Sequence, residues 1–285
     1  MRKLNSKTHS NLLTCPVCAS RGYLENNFDD VYLYRCQDCD HCFTDVTSLK
    51  KTETYDEEYY AMKHRNWNEN PDLCLFERVG EIINAYKRNA NVLDVGCGTG
   101  GLLRFLHKRY PDFTLTGIDL LPGPDLTGIE TIKGDVLSME FTRKFDVAVT
   151  LQVIEHLGDV SAFTSRLRAV TEKGGLIIVS TVNDRSTSYA VARLSNAVGY
   201  KIAFERLYSR HHLHHFNIRS LRRLMERNNL VIREIIRHNE PISSVDMPAV
   251  RSLLKFMLRV AVGTTFVVGR MTGKTILQTI VCEKS

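Results

Sequence analysis

VLDVGCGTG, residues 92–100, is the most informative segment of this 285-residue chain for its fold. It reads as a buried apolar strand that stops in a glycine-rich turn and leads into a helix predicted over residues 102–110. Glycines suit such a turn, because without Cβ atoms the backbone N–H groups and the helix N-terminus can face a ligand. Asp94 would repel a phosphate group, so the turn favours a ligand that presents a cation or hydroxyl groups.

The glycines alone leave two nucleotide interpretations open. Gly96-x-Gly98-x-x-Gly101 also satisfies the dinucleotide fingerprint of an NAD-dependent oxidoreductase, whereas the phosphate-binding motif G-x-x-x-x-G-K-[ST] does not occur. The acidic residues that follow separate the two. A predicted strand over 114–118 ends at Asp119, where a carboxylate can accept ribose hydroxyls, and a strand over 130–132 leads to Asp135, placed to meet an adenine amino group.

A fourth predicted strand, residues 145–151, opens into QVIEHL at 152–157. At this point the chain resembles the class I S-adenosylmethionine (SAM)-dependent methyltransferases of the small-molecule type. VLDVGCGTG, GIDL, GDV, FDVAVTLQVIEHL and KGGLIIVS stand in the family's order and at its spacing, and the resemblance covers residues 55–240. It implies an α/β fold with a Rossmann-like, mostly parallel seven-stranded sheet and helices on both faces, and methyl transfer from SAM by direct displacement.

The resemblance also implies a set of cofactor contacts. Asp94 would lie near the amino group of the methionine moiety, Asp119 would take the ribose hydroxyls and Asp135 the adenine amine. The cofactor-binding residues implied in full are Asp94, Gly96, Cys97, Gly98, Gly100, Asp119, Leu120, Asp135, Val136 and Gln152.

The cysteines predict a second site, near the N-terminus. Cys15-x-x-Cys18 and Cys36-x-x-Cys39 have the spacing of a four-cysteine zinc ribbon, predicted over residues 1–48. Four thiolates leave zinc no open position, so the Zn²⁺ would be structural. Cys42 is a spare or an alternative to Cys39, and the competing interpretation is a disulfide or plain buried thiols.

Composition limits the class of protein. The 43% hydrophobic content can form a sizeable core, and no run of 18 uncharged apolar residues predicts a membrane span. The basic N-terminus MRKLNSK has no apolar segment after it, so we expect no signal peptide, a cytoplasmic protein and reduced cysteines.

The methyltransferase region is predicted over 49–285. A polar connector over 45–71 contains the tyrosine-rich YDEEYY (55–60), which either closes over the cofactor and substrate clefts or simply packs. An amphipathic helix then begins at Pro71-Asp72. A lid insertion is predicted over 184–212, with a helical portion near 189–198.

Basic charge is concentrated from this lid onward. Between residues 185 and 238 ten arginines and one lysine stand against three glutamates, whereas the net charge of the whole chain is +6. A basic lid favours an anionic small-molecule acceptor, such as a sugar derivative, a quinol-like compound or a lipid-linked intermediate. A solvated basic face without a ligand is the alternative.

Histidines supply the candidates for a general base. The segment HHLHHFN (211–217) resembles a family element that lines the active-site mouth, with Asn217 as N-cap of a helix over 218–228. Histidine accepts protons near neutral pH, so His212 is named first and His215 second, although either can be a packing residue. Glu155 and His156 either hold a divalent metal or cap a helix and pack under the cofactor.

One further insertion, over residues 247–270, is apolar with cations at Arg251, Lys255 and Arg259. It would dock on the domain's own surface, or make peripheral contact through 249–268 with anionic lipid at the inner face of the membrane. A nucleic-acid-binding methyltransferase is the other functional alternative, but aromatic residues are sparse in the basic stretch, which disfavours a nucleic-acid partner. The oligomeric state is left open.

Overall fold

The structure is a computed structural model that describes residues 11–49, 69–124, 126–247 and 252–285. The tyrosine-rich segment at 55–60 and residues 249–251 of the predicted membrane-facing segment lie outside the described residues.

The N-terminal segment forms a small antiparallel sheet. Its strands are β1 (Leu12–Thr14), β2 (Arg21–Phe28), β3 (Val31–Cys36) and β4 (Cys42–Thr44). One Cys-x-x-Cys turn follows β1 and the other begins at the end of β3, so both turns lie at the same end of this sheet. The arrangement is that of the predicted ribbon.

Seven further strands form the main sheet, and their carboxyl ends carry the predicted site. They are β5 (Asn91–Val95), β6 (Thr114–Asp119), β7 (Glu130–Lys133), β8 (Phe145–Leu151), β9 (Thr171–Val182), β11 (Leu230–His238) and β12 (Leu277–Lys284). The order is β11-β12-β9-β8-β5-β6-β7, with β12 antiparallel to both of its neighbours and the other pairs parallel. The predicted α/β, mostly parallel sheet is confirmed.

Helices cover both faces of this sheet because its strands are apolar on both sides. The helices are α1 (Leu73–Tyr86), α2 (Gly101–Arg109), α3 (Val160–Val170), α4 (Thr187–Ala197), α5 (Ile202–Leu207), α6 (Ile218–Arg227) and α7 (Ser252–Thr272). Val147 and Val149 pack with α1 and α2, whereas Ala148 between them packs with α3 and α6. This alternation is what a strand between two helical layers requires.

Helix ends follow the capping residues that the sequence offers. Asp72 accepts a hydrogen bond from Leu75 N at 3.0 Å and opens α1. Asn217 and Ser220 form a reciprocal capping box at the start of α6. The predicted lid differs in one respect: it holds two helices, α4 and α5, because Gly199 adopts φ of +94° and turns the chain between them.

The short strand β10 (His214–His215) ties the two sheets together. It pairs antiparallel with β4, His214 opposite Phe43 and His215 opposite Cys42. The fifth strand of the ribbon sheet is therefore supplied by the segment that follows the lid.

Candidate active site and zinc site

The glycine turn after β5 is built by its backbone. Gly96, Gly98 and Gly100 have φ of +76°, +52° and +76°, a region that residues with a Cβ rarely adopt. A Cβ at Gly96 would lie 2.3 Å from a methyl carbon of Val153. The turn thus requires glycine for its conformation and also for close packing, and it presents backbone to the cleft above it.

Asp94 lies at the bottom of that cleft. The lining of the cleft includes Asp94, Gly96 and Cys97 together with Pro71, Phe76, Thr99, Gly101, Leu102 and Leu151. Asp94 is only 4% exposed. Burial, and then the neighbouring Asp119 carboxylate, raises the pKa of Asp94 to about 7. A ligand cation placed here would stabilise the ionised carboxylate.

Asp119 closes the adjacent strand β6 and is half-buried. Its Oδ2 accepts from Gly98 N at 2.9 Å and its Oδ1 from Leu121 N at 2.9 Å. The glycine turn and this carboxylate are therefore held in fixed register, and each carboxylate oxygen has a further lone pair for a ligand hydroxyl. Leu120 beside it is 59% exposed.

The remaining predicted contacts lie at the ends of β7 and β8. Asp135 is exposed and its Oδ1 accepts from Leu137 N at 2.9 Å, while Val136 is buried. Gln152 has φ of +57°, and its N–H donates to Ser180 O at 2.9 Å. A left-handed non-glycine residue stores strain, which recurs at ligand sites. The structure thus brings Asp94, Gly96 and Cys97 into one cleft and aligns the others at the same edge of the sheet.

The four ribbon cysteines converge on one point. The sulfur atoms of Cys15, Cys18, Cys36 and Cys39 all lie within 4.8 Å of one another, and all four residues are buried. Zinc–sulfur bonds of about 2.3 Å in a tetrahedron place thiolates about 3.8 Å apart. The measured contacts, such as 3.7 Å between Cys15 and Cys39, fit that donor set. Cys42 lies outside this group, near Glu25.

The histidine segment packs between the ribbon and the end of β8. The rings of His156 and His212 are 4.8 Å apart, and His156 Nδ1 lies 2.8 Å from His211 O. Burial, followed by neighbouring histidines, lowers the pKa of His212 well below its ordinary value. Its Nδ1 is buried and has no hydrogen-bond partner among the described residues.

His215 is fully enclosed. Its Nδ1 lies 3.3 Å from the hydroxyl oxygen of Tyr189, and the Tyr208 ring stacks at a tilt 4.6 Å away. Burial lowers the pKa of His215 to about 3. Of the two predicted general bases, only His212 is partly open to solvent.

Glu155 is also buried, and it connects the end of β8 to two other segments. Its Oε2 accepts from the Thr181 hydroxyl at 2.9 Å, and its backbone oxygen accepts from Leu213 N at 2.7 Å. Burial raises the pKa of Glu155 to about 7. These contacts fasten the histidine segment to the end of β8. The predicted capping role of Glu155 is wrong, because Asp159 caps the following helix α3 and the Glu155 carboxylate is bonded to Thr181 instead.

A buried ion cluster joins the ribbon to the lid, and no local pattern in the sequence indicates it. Asp184 is fully buried and accepts from Arg35 at 2.9 Å, from Arg193 at 3.2 Å and from the Tyr208 hydroxyl. Although burial opposes it, Arg35 and Arg193 hold the pKa of Asp184 below its ordinary value. Arg35 and Asp184 are 149 residues apart, so no motif spacing connects them.

Most arginines of the predicted lid form ion pairs at the contact between the lid and the ribbon. Arg185 pairs with Asp40, Arg193 with Asp184, and Arg210 with Asp30 at 3.0 Å. These arginines pair with carboxylates of the same chain, which explains the basic charge of the lid segment without a bound ligand.

Comparison with known proteins adds the family. A family described as a methyltransferase domain matches residues 69–235. Two curated relatives are both named ubiquinone biosynthesis O-methyltransferase. The Rickettsia akari protein is 26% identical over 168 residues, covering 51% of this chain and 65% of its own length. The Rhodopseudomonas palustris protein is 31% identical over 132 residues, covering 41% and 49%. The chain thus spans less than two thirds of the length of these relatives.

Solved structures show the same fold. A putative sarcosine dimethylglycine methyltransferase from Galdieria sulphuraria superposes with a TM-score of 0.53 at 13% identity, covering 80% of this chain and 97% of that one. A 1,6-didemethyltoxoflavin-N1-methyltransferase from Burkholderia thailandensis, with S-adenosylhomocysteine bound, gives 0.52 at 13% identity, covering 87% and 97%. The family match favours a methyltransferase over an NAD-dependent oxidoreductase. The chain belongs to the methyltransferase domain family with the class I SAM-dependent fold.

Proposed function

We propose that this protein transfers the methyl group of SAM to a small-molecule acceptor. The observation that carries the proposal is the cleft above the glycine turn, where a buried carboxylate lies among backbone groups at the carboxyl edge of a parallel sheet. Ligands of such sheets bind outside this edge. The family match over residues 69–235 supports the same reaction.

Each end of the cofactor has a candidate partner. Asp94 would pair with the ammonium group of the methionine moiety, against the backbone of Gly96, Cys97, Gly98 and Gly100. Asp119, with Leu120 beside it, would accept from the ribose hydroxyls. Asp135 would accept from the adenine amine, with Val136 under the ring, and Gln152 would approach from the end of β8. Bound SAM supplies a methyl group already activated on a sulfonium, so the protein chiefly has to align an acceptor and exclude water.

We propose a hydroxyl acceptor. The curated relatives are named for an O-methylation in ubiquinone biosynthesis, which supports a quinol-like compound. As the acceptor oxygen bonds to the methyl carbon and the carbon–sulfur bond breaks, the hydroxyl proton must leave. His212 is the candidate to take it, because its side chain is half-buried, whereas His215 is sealed among Tyr189 and Tyr208. An anionic acceptor remains a prediction, with less support now that three lid arginines have internal partners.

For the cysteine cluster we propose a structural zinc ion held by Cys15, Cys18, Cys36 and Cys39. The donor set supports it, because four buried thiols this close are stabilised by a metal that takes them as thiolates. The ion would fix the ends of β1 and β3, and through β4 and β10 it would position the histidine segment.

A turnover assay tests the proposed reaction. The full chain is incubated with SAM labelled in the methyl group and with quinol-like phenols, sugar derivatives and lipid-linked intermediates, and labelled product is identified by mass spectrometry. We expect label in a hydroxyl-bearing acceptor and loss of at least about tenfold in rate for Asp94→Asn. The matched control is Asp146→Asn, at the opposite end of β8, where the carboxylate pairs with Lys87. No consumption of SAM with any acceptor, or equal loss in both variants, would contradict the proposal.

A further inference from the structure

Helices α4, α5 and α7 expose large apolar side chains on one part of the molecule. On α4, α5 and the turn between them Leu194, Tyr200 and Ile202 are 68%, 76% and 67% exposed, and on α7 Leu253 and Phe256 are 72% and 64% exposed. We call these exposed side chains of α4, α5 and α7 the apolar face. A patch of this kind marks an interaction surface, because soluble proteins rarely leave large apolar side chains clustered in water.

The helices that carry the apolar face are packed against each other. Helix α4 packs along the second half of α7, where Ser188 Oγ and Thr265 Oγ1 are 2.9 Å apart and Thr187 N donates to Lys274 O at 3.0 Å. Phe266 and Gly269 are the buried residues of α7. The first half of α7, residues 252–261, is exposed or half-buried around its whole circumference and extends about 15 Å as a helix.

Charge on this face is predominantly basic, and Glu205 on α5 is the one acidic residue of these three helices. Residues 252–274 contain Lys255, Arg259, Arg270 and Lys274 and no acidic residue, and residues 187–204 likewise contain only basic charges. Lys255 and Arg259 are four residues apart, so they lie on the same side of α7. Long basic side chains of this kind reach phosphate groups while their stems and neighbours enter the apolar layer.

Helix α7 is long and apolar enough to cross a membrane by length and composition. Its attachments argue for lying at the surface instead. Both of its neighbours in the chain, β11 and β12, are paired in the main sheet, and Asn239 donates to Phe266 O at 3.0 Å, so the incoming segment returns alongside the helix. A helix that spanned the bilayer would place these two neighbouring strands on opposite sides of it, and strands paired with each other cannot be separated in this way.

The base of the face adjoins the cleft. The segment that leads towards α7 contacts the cleft wall, because Ser244 Oγ donates to Asn70 O at 2.6 Å and Pro71 lines the cleft. Helix α4 also follows the carboxyl end of β9, the edge of the sheet that carries the predicted site. A surface bound to the apolar face would therefore lie next to the cleft.

We propose that the apolar face docks on a membrane surface with anionic headgroups, and that α7 lies in the interface. The combination of exposed apolar side chains with predominantly basic charge fits that partner in both respects, since apolar groups enter the acyl boundary and the cations neutralise phosphates. The docking stands without the methyltransferase activity and is tested separately from it.

The test is flotation of the full chain with vesicles of phosphatidylcholine, alone or with about one third phosphatidylglycerol. We expect the protein to float with the anionic vesicles, less so at high salt. Phe256→Asp is expected to weaken binding about tenfold, and so is the pair Lys255→Glu with Arg259→Glu. Since these side chains are exposed, circular dichroism and the melting temperature should be unchanged.

Matched controls are Val231→Asp, exposed at the far end of β11, and Arg223→Glu with Arg227→Glu, exposed on α6 at the same spacing. These controls should leave flotation unchanged. Failure to float, equal binding to neutral vesicles, or equal loss in the controls would overturn the proposal. So would sedimentation showing that wild type forms a dimer that Phe256→Asp abolishes while vesicle binding persists, because the face would then be covered by a second copy.

Discussion

Two regions of this molecule are assembled in opposite ways. The cofactor half, β5 to β8 with α1 and α2, places Asp94, Asp119 and Asp135 at successive strand ends, and backbone fixes their register. The ribbon half, β1 to β4 with β10, α4 and α5, is held by side chains from distant parts of the chain. Its ion pairs join residues 149 and 180 positions apart. A site made by backbone leaves a local pattern in the sequence, whereas a network of side chains leaves none.

The largest expected effect lies in the ribbon half. Cys36→Ser should abolish zinc binding and unfold the ribbon, because structural zinc in small domains contributes about 10 kcal/mol or more. Since β10 completes the ribbon sheet, we expect the melting temperature of the whole chain to fall as well.

Atomic emission measures the zinc content per chain, and a thermal melt measures the change in melting temperature. Cys74→Ser, an exposed cysteine away from the cluster, is the control and should retain one zinc. Cys42→Ala should also retain zinc; loss of the ion from that variant would mean that Cys42 is a ligand in place of Cys39.

The buried ion cluster should give the next largest effect. Asp184→Asn leaves Arg35 and Arg193 without a buried counter-charge, so the free energy of unfolding should fall by about 3–5 kcal/mol. Glu283→Gln removes a partly exposed partner of Arg233, outside the cluster, and should lower it by at most about 1 kcal/mol. Urea denaturation measures both. Equal values would show that the junction depends on its strand pairing and not on the cluster.

Two glycines with the same backbone angle φ allow the effect of backbone strain to be distinguished from the effect of a steric clash. Gly96 and Gly174 both have φ of +76°, but a Cβ at Gly96 meets Val153 whereas a Cβ at Gly174 meets nothing within 4 Å. Both alanine variants should lose about 1–2 kcal/mol of unfolding free energy from strain, and Gly96→Ala should lose more than Gly174→Ala because its Cβ would lie 2.3 Å from Val153. Gly96→Ala alone should also lose cofactor affinity, by at least about tenfold. Titration with S-adenosylhomocysteine checks this, and unchanged affinity would remove the turn from the site.

The pH dependence of cofactor binding gives the smallest effect. The folded pKa of Asp94 is raised to about 7, so the folded state binds the extra proton between its ordinary value and 7, and stability without ligand falls as pH rises through that window. A ligand ammonium requires the ionised form. Affinity for S-adenosylhomocysteine should therefore rise about tenfold from pH 6 to pH 8. Asp94→Asn should bind weakly at both values; a wild-type profile flat over this range would show that Asp94 does not pair with the cation.

The sequence predicted the cofactor half almost completely, for physical reasons that the residues show. Strand β8 was predicted with its observed ends, and α2 begins one residue before its prediction, at Gly101. The ribbon cysteines were also predictable, because metal-ligand spacing is a local pattern. The junction was not: the partnership of Asp184 with Arg35, and the pairing of His214 and His215 with β4, exist only once both halves have folded. Three arginines that suggested an anionic acceptor turned out to have protein partners for the same reason.

Calorimetric titration of the full chain with S-adenosylhomocysteine decides whether the cleft above the glycine turn is the cofactor site. We expect one molecule bound per chain, no heat with NAD, loss of at least about tenfold in affinity for Asp94→Asn and wild-type affinity for Asp146→Asn. Binding of NAD in place of S-adenosylhomocysteine, or undiminished binding by Asp94→Asn, would contradict this assignment of the cleft.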